Sequence, residues 1–388
     1  GELAGDRLTL ESGCSTYHLQ RQGAAIPLGC GSTATAPAAA ASDAGQTVEL
    51  GTLDDLTSLE RRVEEDREWT ILVYLDGDNN LEPFALSDLN ELEAGLPDSG
   101  VEVVVLCDRA EGFDETDGDW TDARLIRITA DSTPDRVVSE VLARPGELNL
   151  GDPATLESFV GGALRAFPAP RTALVMWNHG GGWSVLATDD SAPGVEGGHD
   201  ALTITQTSRA IRAGLDAAGV DKLDLIGFDM CLMAQLETAV EVEDVARVMV
   251  ASQAIEPGDG WPYGAVLAQF GKETLGTTRI ATEIVAAYAS FYDQRGDLLS
   301  TQSALDLAHV DAVVDSLDEL LGEIDPSAAA QWPKVSRSMF FAESYADKTD
   351  IRNGANALAS ADLLDVMRRI RNNVPDFGAE QEFRGFVE

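Results

Sequence analysis

One histidine and one cysteine occupy matching positions in the sequence, each just past the end of an apolar run. His179 comes two residues after the run Ala173–Trp177, and Cys231 follows the run Leu223–Phe228. A thiol needs a base or a positive neighbour to become a thiolate near neutral pH, and a histidine can provide either. If both runs are strands of one parallel sheet, both groups emerge at the same edge. The pattern therefore predicts a cysteine nucleophile with a histidine partner.

The other three histidines fit this role less well. His18 lies in an atypical N-terminal segment, His199 in a polar Gly-Gly-His-Asp loop, and His309 far toward the C-terminus. Glycines follow His179 and would let a substrate approach the backbone closely, so we expect the N–H groups of Gly180 and Cys231 to form an oxyanion hole. The alternative is a core histidine and a buried structural cysteine, without chemistry.

Charge is the most unusual feature of the composition. Lys and Arg number 27 against 67 Asp and Glu, which gives a formal net charge of -40. Such a surface repels nucleic acid and anionic membranes, and it suits cationic partners, calcium or a high-salt habitat. A solvated acidic surface explains most of this charge without any partner. The sequence contains no apolar run of the roughly 18 residues that a membrane span requires.

The cysteines and the N-terminal region set limits on the organisation of the chain. With 4 cysteines in 388 residues, a disulfide scaffold is not expected, although Cys14 and Cys30 could pair and Cys107 should be a buried thiol. We expect a flexible leader and linker over 1–66 and one domain over 67–388 that includes a C-terminal helical extension. The chain begins with Gly, as a processed or a recombinant form would, and a secreted or extracytoplasmic location is slightly favoured.

Apolar runs alternate with helical patterns from Trp69 onward. This alternation predicts a three-layer α/β sandwich with a mostly parallel central sheet. Ligands bind such sheets beyond the carboxyl ends of the strands, where His179 and Cys231 are expected. The pattern also predicts a helix capped by Asp152, a helix over Ile204–Ala218 closed by Gly219, a loop over 183–202, and a helix starting at Leu232.

Four ordered motifs resemble those of clostripain-family cysteine peptidases. They are Val73-Tyr74-Leu75-Asp76-Gly77-Asp78-Asn79-Asn80-Leu81-Glu82, Trp177-Asn178-His179-Gly180-Gly181-Gly182-Trp183, Gly227-Phe228-Asp229-Met230-Cys231-Leu232-Met233-Ala234 and Glu256-Pro257-Gly258-Asp259-Gly260-Trp261-Pro262-Tyr263. That family is related to caspases, gingipains and legumain, so the resemblance implies a caspase-like fold. A histidine about 50 residues before the cysteine also matches the caspase spacing.

The resemblance implies roles for four residues. His179 would be the general base or acid and Cys231 the nucleophile, while Asp229 and Asp259 match pocket carboxylates of relatives that cleave after Arg or Lys. A carboxylate in a partly closed pocket selects a guanidinium or ammonium group by charge and hydrogen bonding. The alternatives are a helix cap for Asp229 and a plain turn residue for Asp259.

The segment between the histidine and the cysteine departs from the pattern of several relatives, which mature by cutting themselves there after a basic residue. Residues 183–208 contain no Lys or Arg. We therefore expect a single chain that is active as made or controlled elsewhere, for example by the leader.

Asp76 and Asp78 begin an oxygen-rich segment that is a candidate calcium site. Calcium binds six to eight oxygens, and Asp-x-Asp-x-Asn is the start of such a loop, although the full loop pattern is absent. Some relatives need calcium, but a turn and helix cap would explain the segment equally well. The chemistry predicted for His179 and Cys231 requires no cofactor.

Taken together, the sequence predicts a cysteine endopeptidase that cleaves peptides after Arg or Lys through an acyl-enzyme. One alternative is a caspase-like peptidase of other specificity, for example after Asp or Asn. A second is a caspase-like module without catalytic activity that binds partners through its acidic surface. The sequence indicates neither the natural substrate nor the oligomeric state.

Overall fold

The structure is a computed structural model of the chain. It describes residues 52–388 except 134–135, 273–274, 298–299, 325–329, 346–359, 375–376, 378–382, 384–385 and 387–388. In the N-terminal region it describes only the backbone of three strands, β1 (Glu2–Ala4), β2 (Arg7–Ser12) and β3 (Ser15–Gln20), which form an antiparallel sheet. Cys14, Cys30 and the linker expected near residues 31–46 lie outside the described residues, so the expectations about them stay predictions.

An eight-stranded sheet organises the rest of the molecule. Its spatial order is β13-β12-β11-β8-β4-β5-β6-β7. The strands are β4 (Trp69–Gly77), β5 (Val101–Arg109), β6 (Ala123–Arg127), β7 (Glu140–Gly146), β8 (Arg171–Trp177), β11 (Leu223–Asp229), β12 (Ala246–Ala251) and β13 (Ser303–Asp306). The five central strands are parallel, and the outer ones pair antiparallel. The predicted mostly parallel sheet is confirmed.

Helices cover both faces of this sheet. In chain order they are α1 (Asp54–Thr57), α2 (Glu82–Gly95), α3 (Pro153–Ala166), α4 (Ile204–Ala218), α5 (Leu236–Val242), α6 (Tyr263–Phe270), α7 (Thr277–Arg295), α8 (Val310–Gly322), α9 (Trp332–Phe341) and α10 (Leu363–Asn373). One core packs α3, α4 and α5 against the sheet, and a second core packs α2, α6 and α7 against its other face. The predicted three-layer α/β architecture is confirmed.

Strand β4 shows why the sequence folds into three layers. All nine of its residues are buried, and its apolar side chains alternate between the two cores. Leu72 and Tyr74 belong to the core with α3, whereas Ile71, Val73 and Leu75 belong to the core with α2. Successive side chains of a strand point to opposite faces, so an uninterrupted apolar run requires an apolar layer on each side.

Two predicted helix boundaries are confirmed by their caps. The Asp152 carboxylate accepts a hydrogen bond from the Ala154 N–H at 2.9 Å, at the start of α3. Helix α4 begins with a capping box between Thr203 and Gln206 and ends at Gly219, whose φ of 74° is the left-handed conformation that favours glycine.

Two predictions around the candidate site are wrong. The predicted helix at Leu232 begins only at Leu236, because Leu232 has a φ of 65° and cannot start a helix. The region expected to be a loop, 183–202, contains a two-stranded antiparallel sheet of β9 (Leu186–Asp189) and β10 (Asp200–Leu202). Both departures depend on contacts with distant segments, which local patterns do not reveal.

The C-terminal helices pack around a small apolar cluster of their own. Its members come mainly from α8, α9 and α10, and they include Leu320, Val335, Met367 and Ile370. In the described part of the chain, none of the helices combines the length and the apolar character needed to cross a membrane.

Candidate active site

The pairing of β8 with β11 brings the predicted histidine and cysteine together. These parallel strands are in register with Trp177 opposite Asp229, so His179 and Cys231 each lie two residues beyond the paired ends. Gly180 packs directly on the cysteine: a Cβ at this position would collide with the Cys231 carbonyl oxygen and lie 3.1 Å from the Cys231 nitrogen. The structure therefore places both residues just beyond the ends of two neighbouring strands, at the carboxyl edge of the sheet where the sequence predicted them.

The imidazole of His179 is held by an asparagine from the neighbouring strand end. His179 Nε2 lies 2.9 Å from Asn80 Oδ1, and because an amide oxygen can only accept, Nε2 is the nitrogen that carries hydrogen. Next to it, Asn178 Nδ2 donates to the carbonyl oxygens of Asp76 at 2.8 Å and Thr188 at 3.0 Å. The segment bearing the histidine is thus tied to β4 and to the β9–β10 hairpin.

Sequence reasoning missed the role of Asn80. It lies just after Asp76 and Asp78 in the oxygen-rich segment proposed for calcium, but its side chain contacts the histidine. The only available signal was its position after a central strand, the same signal that identified His179.

The Cys231 side chain is half-buried, and its sulfur lies against the backbone of Glu256. The Glu256 N–H donates to Cys231 Sγ at 3.4 Å, and Sγ lies 3.8 Å from the Glu256 carbonyl oxygen. The turn after the cysteine is fixed by the loop that carries Glu256, because the Leu232 N–H donates to the Ala254 carbonyl at 3.0 Å. These bonds maintain the left-handed conformation of Leu232, which costs on the order of 1–2 kcal/mol for a residue with a Cβ.

The competing residues have other surroundings. The side chains of His199 and His309 are 66% and 75% exposed, and each pairs with a nearby aspartate. Cys107 is fully buried in β5, and burial raises the pKa of its thiol well above the usual range. Neither its burial nor its protonation suits a nucleophile.

Asp229 is buried at the end of β11 and faces α6. Its Oδ2 accepts hydrogen bonds from the Tyr263 hydroxyl at 2.8 Å and the Trp261 N–H at 3.2 Å. Burial raises the pKa of its carboxyl to about 6, although these hydrogen bonds oppose the rise. The alternative prediction of a helix cap is wrong, since the carboxylate bonds to a loop and a helix about thirty residues further along the chain.

Asp259 is placed differently from Asp229. Its side chain is 58% exposed, and its Oδ2 lies 3.8 Å from the Nε of Arg295, which is itself half exposed. The backbone next to it approaches the buried aspartate, because a Cβ on Gly260 would lie 2.9 Å from Asp229 Oδ1. Of the two aspartates that the sequence predicted as pocket residues, Asp229 is thus buried and Asp259 is exposed, and both lie in the same region.

Three further carboxyl groups surround Asp229. Asp88 accepts from Trp177 Nε1 at 2.7 Å and Glu91 from the Tyr263 N–H at 2.9 Å, while the Glu256 side chain is hydrogen-bonded to Asp229. We call Asp88, Glu91, Asp229, Glu256 and Asp259 the pocket carboxylates. Burial and mutual repulsion raise the pKa of Asp88 and of Glu256 well above the usual range.

Comparison with known proteins identifies the family. The family model described as the clostripain family matches residues 73–374, a span that includes His179, Asp229, Cys231 and Asp259. The chain belongs to the clostripain family.

A curated member of the clostripain family is similar over part of its length. The clostripain of Hathewaya histolytica is 28% identical over 221 residues, which are 51% of this chain and 41% of that protein. The chain thus matches less than half of this relative.

Two solved clostripain-family structures resemble the fold. A secreted C11 cysteine protease from Bacteroides thetaiotaomicron, in complex with an irreversible peptide inhibitor, has a TM-score of 0.62 and 23% identity over 83% of this chain and 81% of its own. An inactive zymogen C11 protease from Parabacteroides distasonis has a TM-score of 0.62 and 16% identity over 84% and 82%. These likenesses establish the fold.

The clostripain-family chain has a second group of buried acids, which come from the ends of β4, β5 and β7 and from β9. We call Asp76, Asp78, Asp108, Glu147 and Asp189 the β4-end carboxylates. Asp78 accepts from the Ser191 hydroxyl, which lies 3.4 Å from Glu147 Oε1, and Asp78 and Asp189 are hydrogen-bonded to each other. Burial, with repulsion between these groups, raises the pKa of Glu147 and of Asp189 to about 8 and raises that of Asp76 and of Asp108 well above the usual range.

The β4-end carboxylates match calcium in chemistry but not in arrangement. They offer hard oxygen donors, and Asp76 Oδ2 and Asp108 Oδ2 are buried without a hydrogen-bond donor. Within the described ranges, however, no three His, Cys, Asp or Glu side chains are grouped so that they could hold one metal ion. The arrangement of Asp76 and Asp78 therefore does not fit the expected calcium site, and protons are the charge compensation consistent with the raised pKa values.

The raised pKa values of the β4-end carboxylates predict that the stability of the fold depends on pH. Glu147 has a folded-state pKa of about 8 against an ordinary value near 4.5, so folding takes up a proton between these values and stability falls as pH rises through that window. Replacing Glu147 by Gln removes this loss. We expect the variant to exceed the wild-type melting temperature by roughly 2–5 °C at pH 8 and to match it at pH 5.

The control is Glu157→Gln, a change of an exposed residue on α3 that should leave the pH profile of melting as in wild type. Parallel profiles for Glu147→Gln and wild type would contradict the proton account. So would a rise in wild-type melting temperature on adding millimolar calcium that Glu147→Gln lacks, since that result would indicate a cation site.

The contact between Asn80 and His179 predicts a catalytic cost for its removal. Asn80→Ala leaves the imidazole without its acceptor, and a misplaced catalytic group costs on the order of 100-fold in rate. We expect kcat for a reporter peptide to fall roughly 10- to 100-fold with little change in KM. Asn90→Ala on α2 is the control. Wild-type kcat in Asn80→Ala would show that Asn80 does not position His179.

Proposed function

We propose that this clostripain-family chain is a cysteine endopeptidase that cleaves after Arg or Lys. The observation that carries the proposal is the in-register pairing of β8 and β11, whose neighbouring ends carry His179 and Cys231, with Gly180 packed on the cysteine backbone. Family membership supports the peptidase class, and the acidic surroundings of Asp229 support the preference for a basic residue.

The proposed reaction has two stages. The Cys231 thiolate attacks the carbonyl carbon of the scissile bond, and the resulting oxyanion accepts hydrogen bonds from the N–H groups of Gly180 and Cys231. With Nε2 bonded to Asn80, we assign proton transfer to Nδ1 of His179, which takes the proton of the Cys231 thiol as the thiolate forms. Nδ1 then gives this proton to the leaving amine as the C–N bond breaks. Nδ1 then takes a proton from water, whose oxygen attacks the thioester and releases the acid and the Cys231 sulfur.

Specificity follows from the pocket carboxylates. Five acids adjoin one another near the nucleophile, and among the described basic groups it is Arg295, at the exposed rim, that pairs with one of them. A negative pocket attracts a guanidinium or ammonium group and repels a side-chain carboxylate. This argues against cleavage after Asp. It does not distinguish Arg from Lys.

The rival functions are less well supported. A binding module without catalytic activity would not need a histidine oriented by Asn80 or a half-exposed thiol bonded to a backbone N–H. A peptidase that cleaves after Asn is the alternative within the enzyme class. Hydrolysis of reporter peptides distinguishes it from a peptidase that cleaves after Arg or Lys.

We further propose that the chain acts without internal cleavage between His179 and Cys231. Residues 183–208 contain no Lys or Arg, and the β9–β10 hairpin is held to the site because Thr188 accepts hydrogen bonds from both Asn79 and Asn178. No cofactor takes part in the proposed reaction. The secreted relative from Bacteroides thetaiotaomicron supports a secreted or extracytoplasmic location.

The first test is hydrolysis of matched reporter peptides with Arg, Lys, Asn or Asp before the scissile bond. We expect Arg or Lys peptides to be cleaved and Cys231→Ala to lose this activity by more than 1000-fold, since a nucleophile cannot be replaced. The matched control is Cys107→Ala, which removes a buried thiol and should keep activity. Full activity of Cys231→Ala would refute the assignment, and preference for Asp or Asn would refute the specificity.

The second test uses the pKa of Asp229. Because burial sets that pKa at about 6, the pocket loses a negative charge below pH 6, and kcat/KM for an Arg peptide should rise with pH through this value. Asp229→Asn should lower kcat/KM at pH 8 by roughly 10- to 100-fold, as expected for a lost charge-assisted hydrogen bond, and should flatten the profile.

Asp259→Asn is the matched comparison for the exposed aspartate, and we expect a smaller loss because solvent screens that group. An Asp229→Asn enzyme with wild-type kcat/KM for the Arg peptide at pH 8 would show that the buried aspartate does not bind the substrate cation.

A further inference from the structure

Glu256 contacts both the nucleophile and the pocket anion. Its backbone N–H donates to Cys231 Sγ at 3.4 Å. Its side chain turns inward, where Oε1 accepts from Gln302 Nε2 at 3.2 Å and the carboxyl lies within hydrogen-bonding reach of the Asp229 carboxyl and the Trp261 indole. One residue therefore joins the two groups to which we assign bond cleavage and substrate recognition.

The contact between the two carboxyl groups requires a proton. Glu256 Oε2 is buried, and no donor reaches it in good hydrogen-bond geometry, although the Trp261 indole lies close to the carboxyl; Asp229 Oδ2 already accepts two hydrogen bonds. Two carboxylates cannot hydrogen-bond without a shared hydrogen, so one partner must be a neutral acid. Glu256 has the orphaned oxygen, and a hydrogen on it would give that oxygen a partner.

The surroundings favour Glu256 as the protonated member. Burial and the neighbouring aspartate raise the pKa of Glu256 well above its usual range, whereas that of Asp229 rises only to about 6, because hydrogen bonds from Tyr263, Trp261 and Glu256 lower it. The other titratable or charged groups facing this pair are Asp88 and Glu91 on α2, Asp259 in the loop, Tyr263 on α6, and Tyr288, Tyr292, Arg295 and Asp297 on or just after α7.

We propose that Glu256 is a positioning residue for substrate specificity: as a neutral acid it donates a hydrogen bond to Asp229 and fixes the pocket anion, while its backbone N–H holds the Cys231 sulfur. The backbone contact stabilises a thiolate, because a hydrogen bond donated to the charged form favours that form. This inference rests on the proposed cleavage after Arg or Lys. Under this proposal, the substrate cation is recognised by a single negative charge on Asp229 and not by two charged carboxylates, Asp229 and Glu256.

The test compares Glu256→Gln with Glu256→Met in the full-length chain, using the pH profile of kcat/KM for an Arg peptide. Gln keeps a neutral donor, so its midpoint should stay near that of wild type. Met has similar length but cannot donate, so the midpoint should move up by about one pH unit, and KM at pH 7 should rise roughly 10-fold with a smaller change in kcat. If Glu256 were instead an anion, removing its charge would move the midpoint down in both variants, and that result would overturn the proposal.

Two further measurements separate this proposal from the function on which it rests. The rate of Cys231 alkylation by iodoacetamide should be equal in wild type and both variants, since the backbone N–H is retained; a large drop in Glu256→Met would indicate a purely structural role. Carbon NMR of glutamate-labelled protein, with the signal assigned from Glu256→Gln, should find the Glu256 carboxyl protonated at pH 7. An ionised Glu256 would overturn the inference even if Arg peptides are cleaved, whereas a wild-type enzyme that cleaves none would refute the proposed function first.

Discussion

The geometry of the candidate active site depends on the parallel register between β8 and β11. With Trp177 opposite Asp229, residues at the same distance beyond each strand end are neighbours, and that distance is two for both His179 and Cys231. A slip of one residue would turn the side chains of one strand to the wrong face of the sheet. The register is fixed by burial on both faces, because each strand supplies apolar residues to both cores. The large core of this fold is thus what sets the geometry of two half-buried side chains at its edge.

Sequence patterns could predict the sheet, the layers and the positions of His179 and Cys231, because these depend on apolar periodicity and on strand ends. Caps such as Asp152 and Gly219 were equally predictable, since they act within a few residues. The roles of Asn80 and Glu256 were not, because they depend on contacts with residues 99 and 25 positions away along the chain. The turn at Leu232 was mispredicted for the same reason, since its bonds go to the loop after β12.

Buried acids are the second theme of the site. The pocket carboxylates and the β4-end carboxylates place ten acidic groups near one edge of the sheet, and eight of them are buried where an unpaired charge is costly. In the proposed specificity pocket, a bound substrate cation would relieve this cost. Among the β4-end carboxylates, protonation would relieve it, in keeping with their raised pKa values. On this proposal, the same chemistry supports recognition at one place and makes stability depend on pH at another.

The most direct test of the central claim is covalent labelling of the wild-type protein by a peptidyl ketone inhibitor with arginine next to the reactive carbon. Intact-mass measurement and peptide mapping should find one adduct per chain, on Cys231, and far slower labelling by the same peptide with aspartate at that position. An adduct on another residue, or equal labelling by both peptides, would contradict the assignment of Cys231 as the nucleophile of a pocket selective for basic residues.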